Sequence, residues 1–217
     1  MVEKKTCDRC GSCCLQGGPA LHGPDISLLK AGKLARHHLV TIRKGELALQ
    51  PFAEKPTPVT DEFLKLQGRR GSWRCLFYDE PARACTIYEQ RPVACGLFDC
   101  TAPEPMLAIT GKDLLTRYDC IDPDDPLLPS VQLHDREFPC PDMAAITTGL
   151  NTPADRATLL AELTLQVNAE LVFRGQLTAK ETLSVAAEMF YFGRPLFQLL
   201  LPLGVRFREM PDGLLLL

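Results

Sequence analysis

The spacing of apolar positions changes along this chain, and each spacing predicts a different element. Gly23-Pro24-Asp25 starts a short helix in which Ile26, Leu28 and Leu29 supply the apolar side and Gly32 suits the end. Leu39-Val40-Thr41-Ile42-Arg43 predicts a short strand closed by Lys44-Gly45. Gln50 to Thr60 carries Pro51, Pro56 and Pro58 and predicts an extended connection, while Glu62 to Leu66 fits a strand or a helical turn equally well. Gly68-Arg69-Arg70-Gly71 is a turn. The aromatic run Trp73 to Asp79 turns through Glu80-Pro81 and returns through Cys85-Thr86-Ile87-Tyr88. This predicts a hairpin with Cys75 and Cys85 on opposite arms.

Residues 101 to 141 are proline-rich and lack periodicity, which predicts irregular chain draped over the core or inserted near a site. The last third differs. Thr152-Pro153 is a helix start, and Leu159, Leu160, Leu163, Val167 and Leu171 recur at helical spacing up to Gly175. A second start falls at Thr178, with Glu181 completing a capping box. Leu183, Ala186, Ala187, Phe190 and Tyr191 then lead to Gly193, and Pro195 kinks or restarts the helix. Val205 to Glu209 alternates, Pro211-Asp212-Gly213 turns, and Leu214 to Leu217 returns as a terminal hairpin whose leucines need cover. The expected fold is therefore α+β. An irregular cysteine-rich core with short strands (residues 1–145) is followed by a helical pair and hairpin packing on it (residues 146–217).

Composition narrows the function. The 217 residues are 46% hydrophobic and 24% charged, with a formal net charge of -3, ordinary for a folded protein and unlike a general nucleic-acid binder. Lys30, Lys33, Arg36, His37 and His38 make a locally basic stretch without interleaved aromatics, so a solvated face is expected there. Met1 to Thr6 leads into a cysteine without an apolar stretch, and the apolar segment 196–205 is far shorter than the roughly 20 residues of a membrane helix. No signal peptide, no membrane partner and a cytoplasmic location are the expectations.

Ten cysteines then dominate the chemistry. Cys7, Cys10, Cys13 and Cys14 fall within eight positions beside Gly11, and thiolate is the soft ligand that zinc and iron–sulfur centres prefer. In a reducing compartment a disulfide scaffold is the lesser alternative. Cys7-x2-Cys10-x2-Cys13 also has the spacing of a ferredoxin-type run. Cys13 and Cys14 are adjacent, so on extended backbone their side chains diverge. Divergence would suit two centres or the corners of one large cluster. Arg9, Arg74, Arg83 and Arg91 lie near the cysteines, Arg91 being the best placed to offset a negative site because Pro92 fixes the chain beside it. Asp99 reads as a capping carboxylate, and His22, His37, His38 and His134 as surface residues. No phosphate loop, dinucleotide fingerprint or serine-nucleophile elbow occurs.

The cysteine run, together with Cys75, Cys85-x-Ile87-Tyr88, Arg91-Pro92-x2-Cys95 and Cys100, resembles the YkgJ-like CxxCxxCC family, described as zinc- or iron-chelating proteins. The resemblance spans about residues 7 to 100 and implies a metal centre with Cys7, Cys10, Cys13, Cys14, Cys75, Cys85, Cys95 and Cys100 as ligands. Eight ligands divide into two four-ligand sites, or one cubane with four thiols over. Cys120 and Cys140 lie outside the pattern. The cofactor expected first is an iron–sulfur cluster such as [4Fe–4S], with Zn²⁺ next. The expected role is structural, electron-transferring or metal-sensing. The alternative is a metal-dependent enzyme or a component of a methylation-like protein-modification system, since a related cysteine pattern occurs in bacterial flagellin lysine methylases. Expected partners are the metal and, through the C-terminal region, another protein or a second copy.

Overall fold

The computed structural model describes residues 10–217 apart from 52, 70, 71 and 182. In chain order the elements are α1 (Ser12–Leu15), α2 (Ile26–Lys30), β1 (Leu39–Ile42), β2 (Leu47–Ala48), β3 (Thr57–Pro58), β4 (Phe63–Leu66), β5 (Tyr78–Asp79), β6 (Ala84–Cys85), α3 (Val93–Leu97), α4 (Glu104–Leu107), α5 (Leu128–Glu137), α6 (Met143–Leu150), α7 (Pro153–Glu181), α8 (Val185–Phe192), α9 (Leu196–Leu200), β7 (Phe207–Met210) and β8 (Gly213–Leu216). The architecture is α+β, as expected, with the strands arranged in small antiparallel pairs. Among the described residues no helix is long and apolar enough to cross a membrane.

The segment left open between strand and helix is β4. It pairs with β1 in the register Leu39↔Leu66 to Ile42↔Phe63, because Leu64 and Leu66 alternate into the core while Phe63 and Lys65 lie on the other side. Its second edge receives the N-terminal segment: Leu21 N–H donates to Leu64 O at 2.9 Å and Leu66 N–H to Pro19 O at 3.0 Å. The 68–71 turn falls partly outside the described residues.

Two expectations from the second half are corrected. The proline-rich stretch contains a ten-residue helix, α5, and Pro129 sits in its first turn, where the missing N–H has no intrahelical partner to lose. Asp142, just beyond the stretch, accepts from Ala144 and Ala145 N–H at 2.9 and 3.0 Å and so starts α6. Further on, α7 does not end at Gly175 but runs to Glu181. An interior glycine disfavours a helix by only about 1 kcal/mol, and Phe173 and Leu177 on either side pack on the core. The predicted start at Thr178 therefore lies inside α7. Instead Ser184 caps α8, accepting from Ala187 N–H at 3.2 Å. Pro195 begins α9 as expected.

Two large apolar clusters carry most of the packing, beside a small one of Val40, Ile42 and Val59. Leu21, Leu39, Leu64, Leu66 and Val131 meet Phe190 and Phe192 of α8 in the first. Ile146, Leu163, Val167, Leu199, Leu200 and Leu216 form the second. The terminal hairpin forms in the register Phe207↔Leu216 to Met210↔Gly213. The outer edge of β8 is held by α7: Leu216 N–H donates to Thr164 Oγ1 at 3.2 Å, and Asn168 bonds Leu214 N–H and C=O at 2.7 and 2.8 Å. Leu216 is buried while Leu215 and Leu217 face outward, so α7 covers one side of the hairpin.

Between the clusters lies a buried ionic network. Glu170 Oε1 accepts from Arg174 Nη2 and pairs with His134 Nε2, both at 2.9 Å, and its other oxygen accepts from Leu196 N–H at 2.6 Å. Arg174 also reaches Glu188 at 2.9 Å and the carbonyls of Phe192 and Gly193 at 2.9 and 3.0 Å. His134 and His22 are thus buried, against the surface positions expected for them. His22 Nδ1 lies 2.9 Å from Lys112 O.

Burial alone pushes the Glu170 carboxyl up, but the His134 hydrogen bond and the Arg174 and Arg43 guanidiniums outweigh it and hold the group at about 2. A depressed carboxyl contributes stability that is fully present above its unfolded value near 4.5 and lost as pH falls toward 2. Acid titration of unfolding free energy should therefore show a loss of order 3 kcal/mol over that window. Glu170→Gln should remove that part of the pH dependence.

Candidate metal centre

Gly11 adopts φ +81 and turns the chain into α1, so Cys13 and Cys14 lie on a helical turn. The expected divergence is therefore absent: the two sulfurs stand 3.9 Å apart. Four thiolates at about 2.3 Å around one tetrahedral ion stand about 3.8 Å from one another, so this pair matches one edge of such a site. Cys10 Sγ, one turn earlier, bonds Ser12 Oγ at 3.4 Å.

The chain then brings distant cysteines to this turn. Cys75 N–H donates to Cys14 O at 2.7 Å, a direct backbone link between the N-terminal run and the hairpin. Gly11 lies so close beneath Tyr78 that a Cβ there would fall 2.0 Å from the Tyr78 hydroxyl. Tyr78 is itself 4% exposed and pairs with Cys85 across β5 and β6. The hairpin is present but short, and Arg83 takes a positive φ in its loop.

Cys95 arrives on α3, whose position depends on a residue that sequence reasoning assigned only to its own helix. Asp25, 2% exposed, accepts from His22 N–H through Oδ2 and from Val93 N–H through Oδ1, both at 2.9 Å. One carboxylate thus caps the first turn of α3 from 68 residues away. Nothing local in the sequence marks that reach.

The electrostatics show which thiols share a neighbourhood. Burial first, then the charges of Cys75, Cys13 and Cys85, push Cys95 up to about 12, while Arg91 acts the other way. Burial likewise raises Cys75, with Cys85 and Cys13 adding to it. The hydrogen bond from Cys14 holds Cys13 down at about 6 and raises Cys14, to which burial, Cys13, Cys75 and Cys95 add. Thiols on α1, before β5 and on α3 thus bear on one another, and Cys85 adds its charge at Cys75 and Cys95. A bound cation would relieve that repulsion.

The remaining predicted residues are distributed differently. Cys7 and Arg9 lie outside the described residues. Cys100 is exposed beyond α3, beside a turn in which Asp99 Oδ1 accepts from the Thr101 N–H and hydroxyl at 2.8 and 2.7 Å. Arg91 stacks 4.0 Å from the centre of the Tyr88 ring and donates to Tyr88 O at 2.7 Å, which places its charge beside Cys95. Arg74 pairs with Glu80. Cys120 and Cys140 sit elsewhere: Cys120 feels Asp119 and Arg36, Cys140 feels Arg43 and Glu46, and burial first pushes each to about 11. Cys13, Cys14, Cys75, Cys85, Cys95, Cys100, Cys120 and Cys140 are free thiols.

Among the described residues, no group of three or more cysteine, histidine or carboxylate side chains is arranged to hold a metal ion. The fit to a metal is one of donor chemistry. Soft sulfur donors on α1, before β5 and on α3 bear electrostatically on one another, and Cys13 and Cys14 stand at the spacing of one tetrahedral edge.

Residues 6–116 match the CxxCxxCC family, described as a "putative zinc- or iron-chelating domain", and the chain belongs to that family. No curated protein and no solved structure matches the chain.

Proposed function

We propose that this protein is built around a cysteine-ligated metal centre whose main role is structural. Cys7, Cys10, Cys13, Cys14, Cys75, Cys85, Cys95 and Cys100 are the ligand set, with Cys13, Cys14, Cys75, Cys85 and Cys95 innermost. Residues 1–145 carry the metal and residues 146–217 brace them. The observation that carries this reading is the meeting of the N-terminal run with the hairpin, through the Cys75 N–H bond to Cys14 O beside the 3.9 Å pair Cys13–Cys14, with Cys95 close enough for its charge to bear on them. A bound thiophilic cation would offset their charge and cross-link segments that the short strands hold only weakly. The 3.9 Å spacing of Cys13 and Cys14 supports reading the ion as zinc, or a single iron, before a cluster for this pair. An iron–sulfur cluster, supported by the Cys7-x2-Cys10-x2-Cys13 spacing, is the second choice.

An enzymatic reading has one supporting observation. A cavity of about 250 Å³ lined by Cys85, Thr86, Ile87, Tyr88, Glu89 and Gln90 opens beside one of the thiols. It falls below the roughly 300–1,000 Å³ of ordinary ligand pockets, so the structural role ranks first.

Purification without oxygen, followed by metal and acid-labile sulfide analysis and a visible spectrum, tests both points. The expected result is a colourless protein with stoichiometric zinc and no sulfide. A brown protein with sulfide would replace zinc by an iron–sulfur cluster, and a metal-free protein would overturn the metal reading.

A further inference from the structure

Cys95 is carried by α3, and α3 cannot hold its own start. Its five residues, Val93–Leu97, are far fewer than the roughly 12–15 that an isolated helix needs. Its N-cap position is Pro92, whose side chain has no acceptor for the first N–H groups of the helix. The first turn closes with Gly96 N–H donating to Pro92 O at 3.0 Å. Cys95 lies in that same turn, two residues after Val93, so a frayed start would carry its sulfur away.

The missing cap comes from Asp25. Val93 N–H donates to Asp25 Oδ1 at 2.9 Å, across 68 residues of chain, while Oδ2 accepts from His22 N–H at 2.9 Å. Asp25 is 2% exposed, so water competes little for either bond. The capping residue is in turn held still. His22 Nδ1 lies 2.9 Å from Lys112 O, and Gly23 N–H donates to Asp113 O at 2.8 Å. Gly23 leaves no space for adjustment: a Cβ there would fall 2.5 Å from Asp113 Oδ2. Just before the helix, Arg91 stacks on the Tyr88 ring and donates to Tyr88 O. The entry to α3 is therefore fixed at Arg91 behind and at Val93 in front.

A residue that served only as a helix cap would be expected beside α3 in the chain. Asp25 instead ties α3 to the segment between α1 and α2, which follows directly on Cys13 and Cys14. The cap thus joins the part of the chain that carries Cys95 to the part that carries the N-terminal cysteines.

We propose that Asp25 is a positioning residue of the metal centre: through Val93 N–H its carboxylate fixes the first turn of α3, and with it the place of Cys95 relative to the N-terminal cysteines. The inference rests on the cysteine centre proposed above and adds to it a residue that is not a ligand. Supporting groups of this kind act by sparing the metal the work of ordering its ligands.

Full-length wild type, Asp25→Ala, Cys95→Ser and the double variant, compared in competition with a chromophoric chelator for Zn²⁺, test this. Asp25→Ala should weaken zinc binding by about tenfold, in the range found for residues that support metal ligands. In the Cys95→Ser background the same change should alter affinity by less than about threefold, because Asp25 acts through Cys95. The Co²⁺-loaded proteins give a second readout: the thiolate-to-cobalt charge-transfer band of Asp25→Ala should fall toward that of Cys95→Ser. Unchanged zinc affinity or an unchanged cobalt band in Asp25→Ala overturns the assignment. An equal loss of affinity in both backgrounds overturns it too, since Asp25 would then support the fold at large and not Cys95. Asp25→Asn, which offers one acceptor oxygen to two N–H groups, provides the same comparison if the alanine variant does not fold. Wild-type protein that takes up no Zn²⁺, or Cys95→Ser that binds it like wild type, removes the parent reading together with this one, so the two failures are distinct.

Discussion

Cys75→Ser is expected to abolish stoichiometric metal binding, whereas Cys120→Ser and Cys140→Ser should leave it intact. Cys75 is 7% exposed, its N–H is bonded to Cys14 O, and its charge bears on Cys14 and Cys95. Serine preserves size and removes the soft donor, so packing should change little while the metal site loses a ligand. Structural zinc contributes roughly 10–16 kcal/mol in small zinc-folded modules. That is comparable with the whole stability of a typical domain, about 5–15 kcal/mol, so the first hundred residues should melt far below wild type, near chelator-treated wild type. Metal content and melting temperature of the three variants decide the matter. If Cys75→Ser retains a full equivalent and melts like wild type, the ligand assignment fails.

Arg174→Met should cost about 3–5 kcal/mol, read as a fall in the denaturant midpoint. The guanidinium is 3% exposed and touches Glu170, Glu188 and the carbonyls of Phe192 and Gly193. Methionine fills much of the volume but leaves two carboxylates without their partner. These contacts hold the corner between α8 and α9, where Gly193 takes φ +66 and a Cβ would lie 2.8 Å from Thr41 O. The double variant Arg174→Met/Glu170→Gln should recover part of the loss, because it removes one of the stranded charges. A loss below about 1 kcal/mol would place this network among ordinary surface pairs.

The contrast between these two predictions follows how each site is written in the chain. The cysteine site is legible because ligand identity is a local property: Cys10-Gly11-Ser12-Cys13-Cys14 and Cys85-Thr86-Ile87-Tyr88 carry their chemistry in residue type and spacing. The Glu170–Arg174 pair is not legible. At i,i+4 on a long helix it has the form of an exposed ion pair, and only the packing of α5, α8 and α9 around it removes it from water. His134 was misplaced for the same reason.

Helix limits show a similar division. Thr152-Pro153 and Pro195 act locally and were placed correctly. Gly175 and Thr178 have the same local meaning but are overridden, because Phe173 and Leu177 gain burial that outweighs the propensity of one glycine. The irregular reading of residues 101–141 failed because prolines were counted without regard to position. Pro129 in a first turn permits the helix that a proline farther along would break.

The sequence by itself determined the zinc- or iron-chelating family, the α+β class, the start of the long helix, the hairpin beside Cys85 and the terminal hairpin, since each rests on residues close together in the chain. Tertiary structure alone decided that Cys13 and Cys14 converge on one helical turn, that Cys75 bonds the backbone of Cys14, and that Asp25 reaches across to cap the helix of Cys95. Tertiary structure also draws the N-terminal segment onto β4, through the Leu21–Leu64 and Pro19–Leu66 hydrogen bonds, and onto the chain before β5 through Cys14–Cys75. Backbone groups pair wherever packing brings them, which no residue pattern records. The donor atoms themselves are fixed by residue type, and that is why the metal was legible first.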